Sequence, residues 1–266
     1  MTIWEAIILG IVQGLTEFLP VSSSGHLTLG QHFLGFQDLH QYILFDLICH
    51  LGTLLAIFLI FFSEIKKVIT NDFSRFKQVV LATLPLFPLA LLIKPLHSLF
   101  DQPQLLGFFF IITALLIYAG NKFTARLAAS QTAKKRSWRD PLIIGLFQAG
   151  AILPGISRSG STISAARMLG WERQDAILFS FLLAIPAILG GTALELIQLF
   201  AGSHVAVSGV PIGWEAYFFG FLTSFVVGAF ALLLLMRIVA KDKLMIFAWY
   251  CLALGIATSC YFLIAT

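Results

Sequence analysis

Six apolar stretches, most of them near the length that crosses a bilayer, dominate this chain: Ile43–Phe62, Val79–Leu99, Leu105–Gly120, Asp175–Phe200, Trp214–Met236 and Leu244–Ala265. A helix needs roughly 20 residues to span the hydrocarbon, and Leu105–Gly120 is short by that measure. Backbone N–H and C=O groups find no partner in lipid, so spanning segments must satisfy them internally. With 59% apolar and 11% charged residues and a mean hydropathy of +0.93, a soluble domain would expose apolar surface to water. The expectation is an all-α integral membrane protein with six transmembrane helices, forming one membrane domain over residues 1–266.

The loop cations fix a topology. They cluster in three places: Lys66, Lys67, Arg75 and Lys77; Lys122 through Arg139; and Arg237, Lys241 and Lys243. These are alternate loops, and residues 1–63 hold no Lys or Arg at all. The positive-inside rule puts all three on the cytoplasmic side, so the net charge of +4 reads as a topology signal and not as a nucleic-acid patch. Six crossings then leave both termini outside the cytoplasm. Lys94, near an outer span end, is expected to snorkel. Met1 to Glu5 carries no basic n-region, so no signal peptide is expected. Cys49, Cys251 and Cys260 all lie in apolar spans, without disulfide or metal-ligand spacing, and are expected to pack in the core.

The same alternation sets two segments apart. Residues 141–169 must leave the cytoplasm and return to it, and Thr2–Gly35 must start and end outside; both are predicted to be re-entrant. Each breaks at nearly the same phrase, Phe18-Leu19-Pro20-Val21-Ser22-Ser23-Ser24-Gly25-His26 and Ile152-Leu153-Pro154-Gly155-Ile156-Ser157-Arg158-Ser159-Gly160. Gln13 aligns with Gln148, Ser22 with Ser157, Ser24-Gly25 with Ser159-Gly160 and Ile43-Leu44-Phe45 with Ile177-Leu178-Phe179, at an offset of 134 to 135 residues. This implies an inverted-topology repeat, residues 1–120 with the re-entrant hairpin 2–35 and residues 141–266 with the hairpin 141–169. In membrane proteins, matched Pro/Gly-broken segments of inverted repeats mark the binding site near the midplane.

The residues gathered there suit phosphate chemistry. Gln13 and Glu17, four apart on a half-helix, share a face. A carboxylate inside a membrane is costly and so a functional candidate, and with an amide oxygen beside it the pair offers hard ligands for Mg²⁺ or Ca²⁺. Ser22, Ser23, Ser24 and Gly25 open a helix after Pro20, where backbone N–H groups and hydroxyls receive anions. His26 could deprotonate a hydroxyl, protonate a leaving oxygen or attack phosphorus itself. Arg158 needs an anionic partner at that depth and binds phosphate bidentately, with Ser157, Ser159, Gly160 and Thr162 supplying donors around the same anion; a salt bridge to Glu17 can hold when no substrate is bound. Asp46 and His50, i and i+4 on the first span, either support the site or form a structural pair. Glu195 sits in a span as a helix-packing carboxylate.

On these residues the chain resembles the bacterial undecaprenyl-diphosphatases, the bacitracin-resistance phosphatases of cell-wall lipid recycling. The family pattern is Glu or Gln, three residues, Glu, then Phe-Leu-Pro-Val-Ser-Ser-x-Gly-His, and later Pro-Gly-x-Ser-Arg-Ser-x-x-Thr. It is matched at Gln13 and Glu17, Phe18 through His26, and Pro154 through Thr162. The likeness extends through Phe45-Asp46, Leu51-Gly52-Thr53 and Phe179 to Leu183. The membrane phosphatidic-acid phosphatases share a Ser-Gly-His phrase, but where they need a second His this chain has Ser164.

The resemblance implies hydrolysis of a C55 polyprenyl diphosphate to the monophosphate outside the cytoplasmic membrane, with a divalent metal and catalytic roles for the matched Glu17, Ser23, His26 and Arg158. Gln13, where many relatives carry Glu, is expected to be a neutral metal ligand or to position water. Ser23 is the favoured nucleophile, with His26 as base and then acid; direct attack by His26 is the close second. Ser22 and Ser24 donate to phosphate. The rival function is a transporter or flippase for an anionic prenyl lipid. The oligomeric state stays open, a homodimer being one allowed assembly.

Overall fold

The structure, a computed structural model, describes residues 1–36, 39–88, 103–129, 137–200, 212–240 and 243–265. The expectations for Lys94, Lys134 to Arg136, Lys241 and residues 89–99 of the second apolar stretch lie outside the described residues.

Proline decides where the first helix stops. α1 (Ile3–Phe18) is capped at Thr2 by a capping box with Glu5 and ends one residue before Leu19, whose extended backbone (φ −65°, ψ 144°) is what Pro20 demands of the residue before it. The chain then turns and α2 (Ser23–Phe33) runs from a Ser22 cap. The second phrase does the same: α7 (Asp140–Gly150) ends before Pro154, and α8 (Arg158–Met168) starts from a Ser157 cap. At 1.5 Å per residue α1 reaches about 24 Å and each of the other three about 16 Å, against a hydrocarbon core of about 30 Å. These four helices are too short to cross.

Between the pairs come α3 (Ile43–Ile60), α4 (Phe62–Thr70), α5 (Phe73–Thr83) and α6 (Leu106–Ala129); after them come α9 (Arg173–Phe200), α10 (Trp214–Ala240) and α11 (Met245–Ala265). No strand occurs among the described residues. Helices α3, α6, α9, α10 and α11 are long and apolar enough to cross a membrane, which makes this an all-helical, multi-pass membrane protein. The short Leu105–Gly120 stretch gains its length because the helix continues through Asn121 to Ala129. Cys49 and Cys251 are buried as expected, but Cys260 is exposed, since it lies on the outward face of α11.

The packing crosses between the two halves of the chain. α1 lies along α10, and α7 lies along α5. Both contacts are backbone-close: a Cβ on Gly14 would sit 2.8 Å from the Gly228 nitrogen, and one on Gly145 2.3 Å from the Ala82 carbonyl oxygen. Small residues permit this approach between membrane helices. α6 and α11 cross at Gly107 and Gly255 in the same way. Around the tip of α1, Phe18 meets the Phe181 ring edge-on at 5.9 Å, and Phe61, Leu54, Ile57 and Leu232 complete the largest apolar cluster.

Candidate active site

The turn of each short helix pair meets the other. Ser159 Oγ donates to the Leu19 carbonyl at 3.1 Å, and a Cβ on Gly25 would fall 2.9 Å from Gly155 Cα. Thr113 of α6 clamps the second turn, donating to Gly155 O and accepting from Ser157 N, both at 3.0 Å. Both turns carry the same cap: Ser22 Oγ accepts from Gly25 N and Ser157 Oγ from Gly160 N. They differ in backbone. Ser22 has φ +70°, the one positive φ at a non-glycine among the described residues, whereas in the second turn the left-handed position falls on Gly155 (φ +92°). A serine held there is strained, and such strain persists only where surrounding contacts enforce it.

Glu17 is the centre of the arrangement. Its side chain is 3% exposed, and Oε1 accepts from the guanidinium of Arg158. Oε2 accepts from Ser23 Oγ at 2.6 Å and from Gln13 Nε2 at 3.1 Å, with His50 Nε2 3.7 Å away. A carboxylate buried this deeply is tolerable because a cation and several donors surround it. Arg158 has no residue between it and its serine cap, so the helix start that would receive an anion also carries the guanidinium.

Glu17, Ser22, Ser23, Ser24, His50, Ser157 and Arg158 line one open cleft of about 350 Å³. Its apolar wall is Ile152, Ile156, Ala187 and Ile188, and Thr192 and Glu195 of α9 stand on the same side. Of the polar groups expected at the site, Ser22, Ser23, Ser24, Ser157, Glu17 and Arg158 thus share the cleft, and Gln13 touches it only through Glu17.

The remaining expected residues face elsewhere. Ser159 is 3% exposed and holds the first turn by its backbone; Gly25 and Gly160 are buried, Gly25 against Phe110 and Gly160 against Ser157 and Pro20. Thr162 donates to the Arg158 carbonyl and shares a 2.7 Å hydrogen bond with Ser180, on the side of α8 that meets α9. Ser159, Gly25 and Gly160 sit where the two turns meet, Thr162 ties α8 to α9, and none of the four lines the cleft. Helical period explains Thr162: four residues after Arg158 it bonds back to that carbonyl. Nor does the His26 ring hydrogen-bond Ser23, whose hydroxyl goes to Glu17. Its Nδ1 lies 2.7 Å from Ser22 O and its Nε2 2.7 Å from the hydroxyl of Tyr250.

Asp46 and His50 are joined as i, i+4 neighbours, His50 Nδ1 donating to the Asp46 backbone carbonyl at 2.7 Å while the Asp46 carboxylate takes Gln31 Nε2 at 2.9 and 3.1 Å. Sequence reasoning did not find Tyr250 or Thr113, which come from distant helices and carry no local motif, nor the contact of Ser180 with Thr162, although Ser180 lies in the Phe179–Leu183 stretch. Glu195, expected only to pack helices, stands at the cleft.

For a divalent cation the donors on offer are oxygen. Gln13 is wholly buried, its amide gives the nitrogen to Glu17, and its Oε1 has no partner. No group of three His, Cys, Asp or Glu residues that could hold a metal occurs among the described residues. What these residues could offer a hard cation is one carboxylate and one amide oxygen, so phosphate and water would have to complete its shell.

The family described as Bacitracin resistance protein BacA matches residues 6–257. The undecaprenyl-diphosphatase of Protochlamydia amoebophila is 55% identical over 262 residues, covering 98% of this chain and 99% of the relative. That of Christiangramia forsetii is 40% identical over 268 residues (97% of each chain), and that of Carboxydothermus hydrogenoformans 38% over 258 residues (96% of each). A match over nearly the whole length, which includes both hairpin turns, leaves one assignment: this chain belongs to the bacitracin resistance protein BacA family.

Proposed function

We propose that the chain hydrolyses undecaprenyl diphosphate to undecaprenyl phosphate and inorganic phosphate, the activity for which its curated relatives are named. The observation that carries this reading is the cleft in which an arginine, a carboxylate and a serine hydroxyl bonded to that carboxylate converge at the ends of two helix pairs too short to cross the membrane.

In the mechanism, the terminal phosphate enters the cleft and takes over Arg158 from Glu17. The planar guanidinium then neutralises phosphoryl charge, which is the main task in such transfers. Ser22, Ser24 and Ser157 orient the remaining oxygens. Ser23 Oγ attacks the terminal phosphorus as its proton passes to the Glu17 carboxylate. The bond from that phosphorus to the bridging oxygen breaks, and undecaprenyl phosphate leaves. Once Glu17 has passed that proton to the leaving undecaprenyl phosphate, water attacks the phosphoserine with Glu17 again as proton acceptor, and Ser23 Oγ takes the proton back as inorganic phosphate leaves. His26 acts on the turn that carries Ser23. Mg²⁺ or Ca²⁺ at Glu17 and Gln13 Oε1 would add further charge neutralisation when bound.

The two short pairs are read as re-entrant hairpins of an inverted repeat, with six crossings, the basic loops in the cytoplasm and the cleft opening outside the bacterial cytoplasmic membrane. Support for this comes from helix length, the crosswise packing of α1 on α10 and α7 on α5, and the placement of loop cations. Purified protein in detergent, without any gradient, should release phosphate from a long-chain prenyl diphosphate in a divalent-cation-dependent manner. Lipid translocation in proteoliposomes without phosphate release would overturn the hydrolase in favour of a flippase.

A further inference from the structure

We infer that Tyr250 is a positioning residue of the reaction, acting through His26 on the strained serine that shapes the nucleophile's turn. The inference rests on Ser23 as the attacking group. A backbone carbonyl can only accept, so the 2.7 Å contact of His26 Nδ1 with Ser22 O fixes the proton on Nδ1. Nε2 is then the lone-pair nitrogen, and the Tyr250 hydroxyl 2.7 Å away is its donor. The hydrogen bond at one imidazole nitrogen selects the tautomer at the other. A continuous chain results, Tyr250 O–H to Nε2, Nδ1–H to Ser22 O.

Its far end is the residue most in need of support. Ser22 stands at φ +70° and ψ 96°, and its carbonyl takes two donors, His26 Nδ1 and the His26 backbone nitrogen at 3.2 Å. The ring itself is fixed on both sides: Tyr250 stacks on it at 5.7 Å with planes 9° apart, and Phe110 meets it edge-on at 5.2 Å. Ser22, Ser23 and Ser24 all line the cleft, so a turn that relaxes at Ser22 moves three hydroxyls relative to Glu17 and Arg158. Without the Tyr250 hydroxyl, the imidazole is free to carry its proton on Nε2, and the Ser22 carbonyl then faces a lone pair.

Tyr250→Phe removes this donor while keeping the stacked ring. Two readouts test the proposal on purified full-length protein. With ¹⁵N-labelled histidine, the His26 signals, identified as those missing from His26→Ala, should show one tautomer protonated at Nδ1 in the parent and a mixture in Tyr250→Phe. In the phosphate-release assay, kcat should fall about tenfold, a barrier change of about 1.4 kcal/mol, with KM within about a factor of two. On the His26→Ala background the same change should cost nothing further, as expected of groups acting as one unit. An unchanged tautomer in Tyr250→Phe, or losses that multiply in the double variant, overturns the role of Tyr250. A parent that releases no phosphate, with the tautomer result intact, instead removes the hydrolase reading and leaves the hydrogen-bonded chain standing.

Discussion

Lysine in place of Arg158 would keep the charge and lose the fork. Arg158→Lys should therefore lower kcat/KM at least about 100-fold, close to 2.7 kcal/mol of barrier, because a point ammonium cannot offer a phosphate the two-pronged contact of a guanidinium. A purified, folded variant within about tenfold of the parent would remove Arg158 from the site. Glu17 carries a different burden: Ser23, Gln13 and Arg158 all converge on its two oxygens. Glu17→Gln should abolish phosphate release or require far more Mg²⁺ or Ca²⁺, whereas Gln13→Glu should stay active, since it adds a second carboxylate where one amide oxygen already lacks a partner. A metal titration with Glu17→Gln unchanged would move the cation elsewhere. At this scale the sequence was most legible where chemistry is intrinsically costly. A Glu and an Arg set within apolar segments announce each other from opposite halves of the chain. The bonding of Ser159 and Thr162 was not legible, because a hydroxyl in a turn looks the same whether it faces a ligand or a neighbouring carbonyl.

Among the elements, α1 and α7 make backbone-close contacts at glycine. Gly145 lets α7 touch α5 with no side chain between them, so Gly145→Ala should overpack the contact and cost about 1–3 kcal/mol, seen as a lower Tm in detergent. Gly150 on the same helix has open space where its Cβ would go, and Gly150→Ala should leave Tm essentially unchanged. Equal effects of the two substitutions would mean that the close crossing is not what holds α7. Helix ends were readable from Pro20, Pro154 and the serine caps, since those residues act on their own backbone. The break between α3 and α4 at Phe61 was not, because neither proline nor glycine marks it. Beyond that break, α4 is an amphipathic helix that buries Ile65 and Val68 and exposes Lys66 and Lys67.

The whole molecule is testable by its sidedness. Cysteines at Thr2 and Gly213 should react with a membrane-impermeant thiol reagent on intact cells, in a background lacking Cys49, Cys251 and Cys260. Cysteines at Lys66, Trp138 and Lys243 should stay silent until the membrane is opened. Labelling of Thr2 without Gly213 would break the count of crossings on which the inverted repeat stands, and the reverse pattern throughout would turn the cleft to the cytoplasm. The all-helical, multi-pass character was legible because hydropathy is additive along a chain. Partners such as Tyr250 for His26, 224 residues apart, depend on how two helices happen to rotate and leave no pattern in either segment.

The hydrogen bond from Ser159 to Leu19 and the pairing of Arg158 with Glu17 bring together residues made at different times. The pair is separated by 141 positions, so at about 5–20 residues per second the ribosome needs roughly 7–28 s to supply the second partner after the first. Through that interval the nascent first hairpin carries an acidic side chain with no guanidinium to receive it. Until its partner arrives, that carboxyl has to stay protonated or solvated, because an unpaired carboxylate away from water is costly. Assembly of this enzyme therefore waits on the second half of the chain, and a chain arrested before Arg158 has the carboxylate and the serines of the first turn but no guanidinium to set against them.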